Sequence, residues 1–213
     1  MRRTRIKICG ITDEESALVA AECGADAVGF VFFKGSKRYI EPARAWEIAS
    51  VLPPFVHTVG LFVNAKTAAI DEVREAFPFE ITQLHGNEPE PIVRECLPPI
   101  IKAVRFDPAT IEHDLRTWSL VSEVSAVLVD GSSGGEGVAF DWQALADVSE
   151  HSDHPLIVAG GLTPENVADA IRTVRPWGVD VSSGVESAPG VKDADKIAEF
   201  CRAVREADLD LDE

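Results

Sequence analysis

Cys9 stands between an apolar run and a glycine in "KICGIT" (7–12), and Asp130 closes the run "AVLVDG" (126–131). A thiol and a carboxyl group suit acid–base chemistry. Beside positive charge a cysteine ionises and can take a proton as a general base. Among apolar neighbours a carboxyl keeps its proton and can give it as a general acid. Each residue also has a plain structural alternative, because free cysteine is among the most buried residue types and aspartate commonly caps a turn. The residues around them must separate these readings.

Those residues suit anionic ligands. "VAGGLTPENV" sets Gly160 and Gly161 after one apolar run, and "VDVSSGVE" sets Asp180, Ser183 and Gly184 after the next. Glycine lets backbone N–H groups approach an anion closely, and a helix N-terminus adds partial positive charge. The two small-residue loops therefore predict a phosphate site at Gly160, Gly161, Ser183 and Gly184. Arg38, in "KGSKRYIEP", joins Lys34 and Lys37 in a locally basic stretch of an acidic chain. Its planar guanidinium suits a carboxylate. "QLHG" (83–86) offers Gln83 and His85 as neutral polar contacts, with a purely structural histidine as the alternative. His151 and His154 stand three apart, but no further ligand cluster accompanies them, so no metal site is expected.

Apolar runs at 6–11, 27–33, 57–63, 81–86, 100–106, 126–131, 156–161 and 178–184 predict the strands that position these groups. Their near-continuous apolar character predicts strands buried on both faces, as in a parallel sheet covered by helices. Amphipathic stretches at 13–24, 42–52, 66–77, 89–97, 111–121, 141–149, 165–174 and 193–207 alternate with them. Thr12 before Asp13–Glu15, and Thr163-Pro164-Glu165, read as helix starts. Eight such pairs predict a closed (β/α)8 barrel, whose working face lies at the C-terminal ends of the strands. Cys9, Arg38, His85, Asp130, Gly160, Gly161 and 180–184 all fall at or just beyond those ends. No linker divides the chain, so residues 1–213 are expected to form one domain, with an acidic, frayed tail at about 207–213.

The bulk numbers narrow the partners. The 36 acidic against 20 basic residues leave a net charge of −16, which excludes a concentrated basic face for nucleic acid. No apolar run is long enough to span a bilayer, and no signal-peptide core follows the basic start; a soluble, cytoplasmic protein is expected. The four cysteines are widely spaced, which points to reduced thiols rather than a disulfide framework. Only seven of the basic residues are lysine, and the chain ends in "EADLDLDE". This pattern predicts adaptation to high salt, where screening shortens to about 3 Å at 1 M.

"KICGIT", "FVFFKGSKRYI", "VGLFVN", "QLHG", "LVDG…GGEGVAFDW", "VAGGLTPENV" and "GVDVSSGVE…PGVKD" occur in order. Together this set resembles phosphoribosylanthranilate isomerase. The resemblance runs from about residue 6 to 200 and implies an Amadori rearrangement of a small phosphorylated substrate in tryptophan biosynthesis, without cofactor or metal. It implies Cys9 as general base, Asp130 as general acid, Arg38 on the anthranilate carboxylate and Asp180 near the sugar hydroxyls. Gly160, Gly161, Ser183 and Gly184 fall to the phosphate. The family's loop after the acid carries small, basic and hydroxyl residues where this chain has Glu136, Val138 and Ala139. Two other readings remain: a related phosphate-binding barrel acting on another aminoaldose, and a non-catalytic barrel that binds a phosphometabolite. Monomer and homodimer are both compatible with the sequence.

Overall fold

The eight apolar runs become eight strands because each can bury both faces. The computed structural model describes residues 3–131 and 140–211. In it β1 (Arg5–Cys9), β2 (Ala27–Val31), β3 (His57–Phe62), β4 (Ile81–Leu84), β5 (Ile100–Arg105), β6 (Val124–Asp130), β7 (Leu156–Ala159) and β8 (Gly178–Val181) form a closed barrel in sequence order. All eight neighbouring pairs are parallel, β8 closing onto β1. The helices are α1 (Glu14–Glu22), α2 (Pro42–Ala49), α3 (Thr67–Ala76), α4 (Glu90–Glu95), α5 (Ile111–Ser119), α6 (Trp142–Ala146), α7 (Val167–Val174) and α8 (Ala194–Asp210).

A two-residue period divides each strand between two cores. Outward side chains such as Ile6, Ile8, Val28 and Phe30 pack under the helices in the larger core. Phe30, Phe32, Phe62, Phe77 and Phe79 form an aromatic cluster there, with ring centroids 5.2–6.2 Å apart. Such a pair adds about 0.5–1.5 kcal/mol beyond area burial. Inward side chains fill the barrel: Ile101, Ala103, Ala126, Leu128, Ile157 and Ala159 on one side, and Cys9, Val31 and Leu61 in another layer. Lys7, Gln83, Asp130 and Asp180 follow the same inward period.

Several expected boundaries shift. β1 ends at Cys9, because Gly10 takes a φ of +79° and turns the chain; β7 stops before Gly160 and Gly161 at +80° and +67°. Asp13, rather than Thr12, caps α1, accepting from Ser16 N at 2.7 Å. The turn at Thr163 is closed by Asn166 Oδ1 on Thr163 N, so α7 begins only at Val167. A hairpin of β9 (Glu186–Ala188) and β10 (Val191–Lys192), absent from the sequence reading, follows β8 and turns at Pro189-Gly190.

The expected frayed tail is corrected over 207–210. α8 runs to Asp210, and buried Asp208 accepts from Thr4 N at 2.8 Å and Thr4 Oγ1 at 2.6 Å. That clamp and the apolar face of α8, including Val204 and Ala207, hold the segment to the barrel. Among the described residues no helix is long and apolar enough to cross a membrane.

Candidate active site

The strand ends open into a cleft of about 740 Å³, within the usual size of a small-molecule site. Cys9, Arg38, His85, Asp130, Gly160, Gly161, Asp180 and Ser183 line it. Gln83 and Gly184 do not, and each has a different task.

On one wall Cys9 ends β1. Its register partner Gly29 carries no side chain, and a Cβ there would lie 2.9 Å from Cys9 Sγ and 3.1 Å from Lys7 Nζ. Lys7 Nζ is 2.8 Å from Asp180 Oδ1, with both side chains buried. Burial opposes the Lys7 charge, yet Asp180 and Cys9 overcome it and hold the ammonium above its ordinary pKa. Burial pushes the Cys9 thiol up; Lys7 and Lys192 pull it back and Asp180 adds to the rise, leaving it above the ordinary value. All four cysteines are free thiols.

On the opposite side Asp130 ends β6, three strand intervals from β1 around the closed barrel. Its Oδ2 is 3.2 Å from His85 Nε2, and His85 Nδ1 is 2.9 Å from Gln83 Nε2. Gln83 is fully buried beneath His85, so it supports the histidine from below rather than meeting a ligand. Its Oε1 has no hydrogen-bond partner among the described residues. With the amide donating, His85 carries its proton on Nε2 and donates to an ionised Asp130. With the amide reversed, Nδ1 donates to Oε1, and Nε2 accepts from a protonated Asp130. The second arrangement is the one a general acid requires.

The loops after β7 and β8 lie between these walls. Gly160 and Gly161 turn their backbone into the cleft at positive φ. A Cβ at Gly160 would meet Asp130 Oδ1 at 2.6 Å as well as the Gly131 amide, so this glycine also leaves room for that carboxyl group. Gly184 sits behind Ser183 in the short 3-10 turn Ser183–Val185, against the carbonyl of Leu162, and locks the loops after β7 and β8 together.

Arg38 reaches the cleft from the loop after β2. Glu186 grips it in bidentate fashion, Nε donating to Oε1 at 2.6 Å and Nη2 to Oε2 at 2.9 Å. Lys192 Nζ joins at 3.0 Å from Oε1. Burial alone would raise the Glu186 carboxyl, but Arg38 and Lys192 hold it below the usual carboxylate range. Burial pulls the Lys192 ammonium down despite Glu186.

Lys7, Glu186 and Lys192 escaped the sequence reading. The i, i+2 spacing of Lys7 and Cys9 and the Pro-Gly turn of "VESAPGVK" were the available signals. The altered loop with Glu136, Val138 and Ala139 lies outside the described residues. Among the described residues no cluster of three or more histidine, cysteine or acidic side chains could hold a metal.

A thiol, a carboxyl group, an arginine and two glycine-containing loops at one end of a closed parallel barrel make this a (β/α)8-barrel protein with a small-molecule cleft at its strand ends. A family model described as N-(5'phosphoribosyl)anthranilate (PRA) isomerase matches residues 6–203. An N-(5'-phosphoribosyl)anthranilate isomerase from Trichlorobacter lovleyi is 46% identical over 207 residues, covering 95% of this chain and 98% of the relative. The solved phosphoribosyl anthranilate isomerase from Thermus thermophilus is similar at a TM-score of 0.85 and 36% identity, covering 95% of this chain and 99% of that one. A phosphoribosyl anthranilate isomerase in complex with reduced 1-(o-carboxyphenylamino)-1-deoxyribulose 5-phosphate gives 0.83 at 41% identity, with the same coverage. The chain belongs to the phosphoribosylanthranilate isomerase family.

Proposed function

We infer that the chain catalyses the Amadori rearrangement of N-(5'-phosphoribosyl)anthranilate, with Cys9 as general base and Asp130 as general acid. The observation that carries the roles is their placement at the ends of β1 and β6, on two walls of one cleft. Asp130 gives its proton to the furanose ring oxygen as the C1–O bond breaks and the nitrogen lone pair forms C1=N. Cys9, as thiolate, takes the proton from C2; the C–H electron pair forms C1=C2 and the C=N pair returns to nitrogen. The enolamine then tautomerises, C2–OH becoming the ketone and C1 receiving a proton. His85 holds the Asp130 proton in line, and Gln83 fixes the histidine tautomer.

The two charged ends of the substrate supply orientation. The backbone at Gly160, Gly161 and Ser183 addresses the phosphate, with Gly184 bracing the loop. A guanidinium has five N–H donors. Glu186 takes two of those of Arg38, so the others address the anthranilate carboxylate. Asp180 addresses the sugar hydroxyls. Binding energy from these ends is spent on holding C1 and C2 between base and acid.

The test is the loss of substrate fluorescence, with the unstable substrate generated in the cuvette. Cys9→Ala and Asp130→Asn should each lower kcat at least about a hundredfold, within the range for general acid–base groups, with native circular dichroism. Near-wild-type turnover in either variant would remove that residue from the mechanism.

A further inference from the structure

The barrel holds a buried cation that this acid–base scheme leaves unused. Lys7 and Cys9 are two residues apart on β1, so both side chains point inward. Lys7 Nζ and Cys9 Sγ each lie about 3 Å from the point where a Gly29 side chain would begin. They are therefore within the ~6 Å range over which a cation favours a neighbouring thiolate. The absence of a side chain at Gly29 is what allows this approach. On its other side Lys7 faces Asp180, its register partner on β8, at 2.8 Å.

We propose that Lys7 is the positioning residue that stabilises the Cys9 thiolate, and that Asp180 governs how much of its charge reaches the sulfur. In the free site the ammonium is shared between carboxylate and sulfur. When sugar hydroxyls donate to Asp180, part of its negative charge is satisfied and Lys7 turns its charge to Cys9. Proton abstraction is then readied by the substrate itself. This rests on the assignment of Cys9 as base and of Asp180 to the sugar.

The other charged groups near the sulfur do not duplicate Lys7. Lys192 on β10 and Arg38 after β2 both face Cys9, but both are tied to Glu186, which offsets their charge. From β2 the neighbours are uncharged Gly29 and Val31. Burial raises the Cys9 thiol most, and Lys7 is the largest influence opposing it.

The experiment follows the 13Cβ signal of labelled cysteine against pH in the full-length enzyme, the Cys9 signal being identified by its loss in Cys9→Ser. An opposite charge at this range shifts a pKa by about 1–3 units. Lys7→Met should therefore move the Cys9 titration up by at least about one unit, and Asp180→Asn should move it down. The acid limb of kcat/KM should follow each shift, so that Lys7→Met loses roughly tenfold in kcat/KM at pH 7. Methylamine should restore part of that activity in Lys7→Ala. A merely structural lysine would not give opposite shifts in the two variants.

An unmoved Cys9 titration in folded Lys7→Met, or an upward or absent shift in Asp180→Asn, would overturn the proposal. Should Lys7→Met fail to fold, Lys7→Gln takes its place, and an unmoved Cys9 titration there overturns the proposal. If the titrations move as expected while Cys9→Ala keeps its turnover, the Lys7–Cys9 coupling stands and the assignment of the base falls.

Discussion

Glu186→Gln tests how the carboxylate end of the cleft is built. The wild-type carboxylate accepts from Arg38 twice, from Lys192 at 3.0 Å and from Gly190 N at 3.2 Å. Its side chain is only 5% exposed, and that of Lys192 is fully buried. Removing the negative charge leaves two cations facing each other without a counter-ion. Breaking a buried ion pair from one side costs about 3–5 kcal/mol. Burial already lowers the Lys192 pKa, so this lysine can shed its proton and limit the loss to the lower end, about 3 kcal/mol. For a domain of this length that corresponds to a fall of roughly 6–12 °C in melting temperature at pH 7.

The same change frees Arg38 from the hairpin of β9 and β10. With its aim relaxed, one charged hydrogen bond to the substrate carboxylate is lost, about 1.5 kcal/mol or roughly tenfold in KM. The chemical step, which we assign to Cys9 and Asp130, should change much less. Differential scanning calorimetry and the fluorescence assay read the two effects separately. The wild-type carboxyl titrates below its unfolded value, so its stabilisation is complete above the unfolded pKa of about 4 and is lost as pH falls through the folded value. The Gln variant should lack that contribution, and its deficit should shrink toward low pH. A melting temperature within 2 °C of wild type at pH 7, with unchanged KM, would refute the reasoning.

Gln83→Leu should lower kcat about tenfold, part of what a general acid supplies, because the His85 tautomer is no longer set; KM should barely move, since Gln83 is buried below the cleft. A rise in KM with unchanged kcat would return Gln83 to a binding role. Gly161→Val should weaken competition by inorganic phosphate at least tenfold or so, because valine is strained at a φ of +67° and crowds the backbone; equal phosphate affinity would place the anion elsewhere. The wild-type acid limb of kcat/KM should rise with pH beyond 7, since burial holds Cys9 as a thiol and only the thiolate accepts a proton; a limb complete by pH 6 would contradict that. With a net charge of −16, molar KCl should raise the melting temperature by relieving self-repulsion over about 10 Å, while KM rises as Arg38 is screened. A flat or falling melting temperature from 0.1 to 3 M KCl would end the high-salt reading.

The barrel was legible because its information is local. Eight apolar runs alternating with amphipathic stretches specify strands and helices segment by segment, and parallel strands buried on both faces leave few ways to close. Cys9, Arg38, His85, Asp130, Gly160, Gly161 and Asp180 were legible because a position at a strand end, or in the loop that follows it, sends such groups to one rim. Partnerships across the closed barrel were not. Lys7 meets Asp180 across 173 residues, and Arg38 meets Glu186 across 148. Both pairs depend on register and closure, which no local pattern carries. Gln83 and His85 read alike in "QLHG", yet pleating and depth bury the first under the second, so one supports and the other faces the cleft. The acidic end misled for a related reason: composition marks charge, whereas Asp208 is anchored by Thr4, 204 residues away. Sequence determined which groups reach the rim; tertiary packing decided which charge faces which, and charges inside a protein act through their distances and burial.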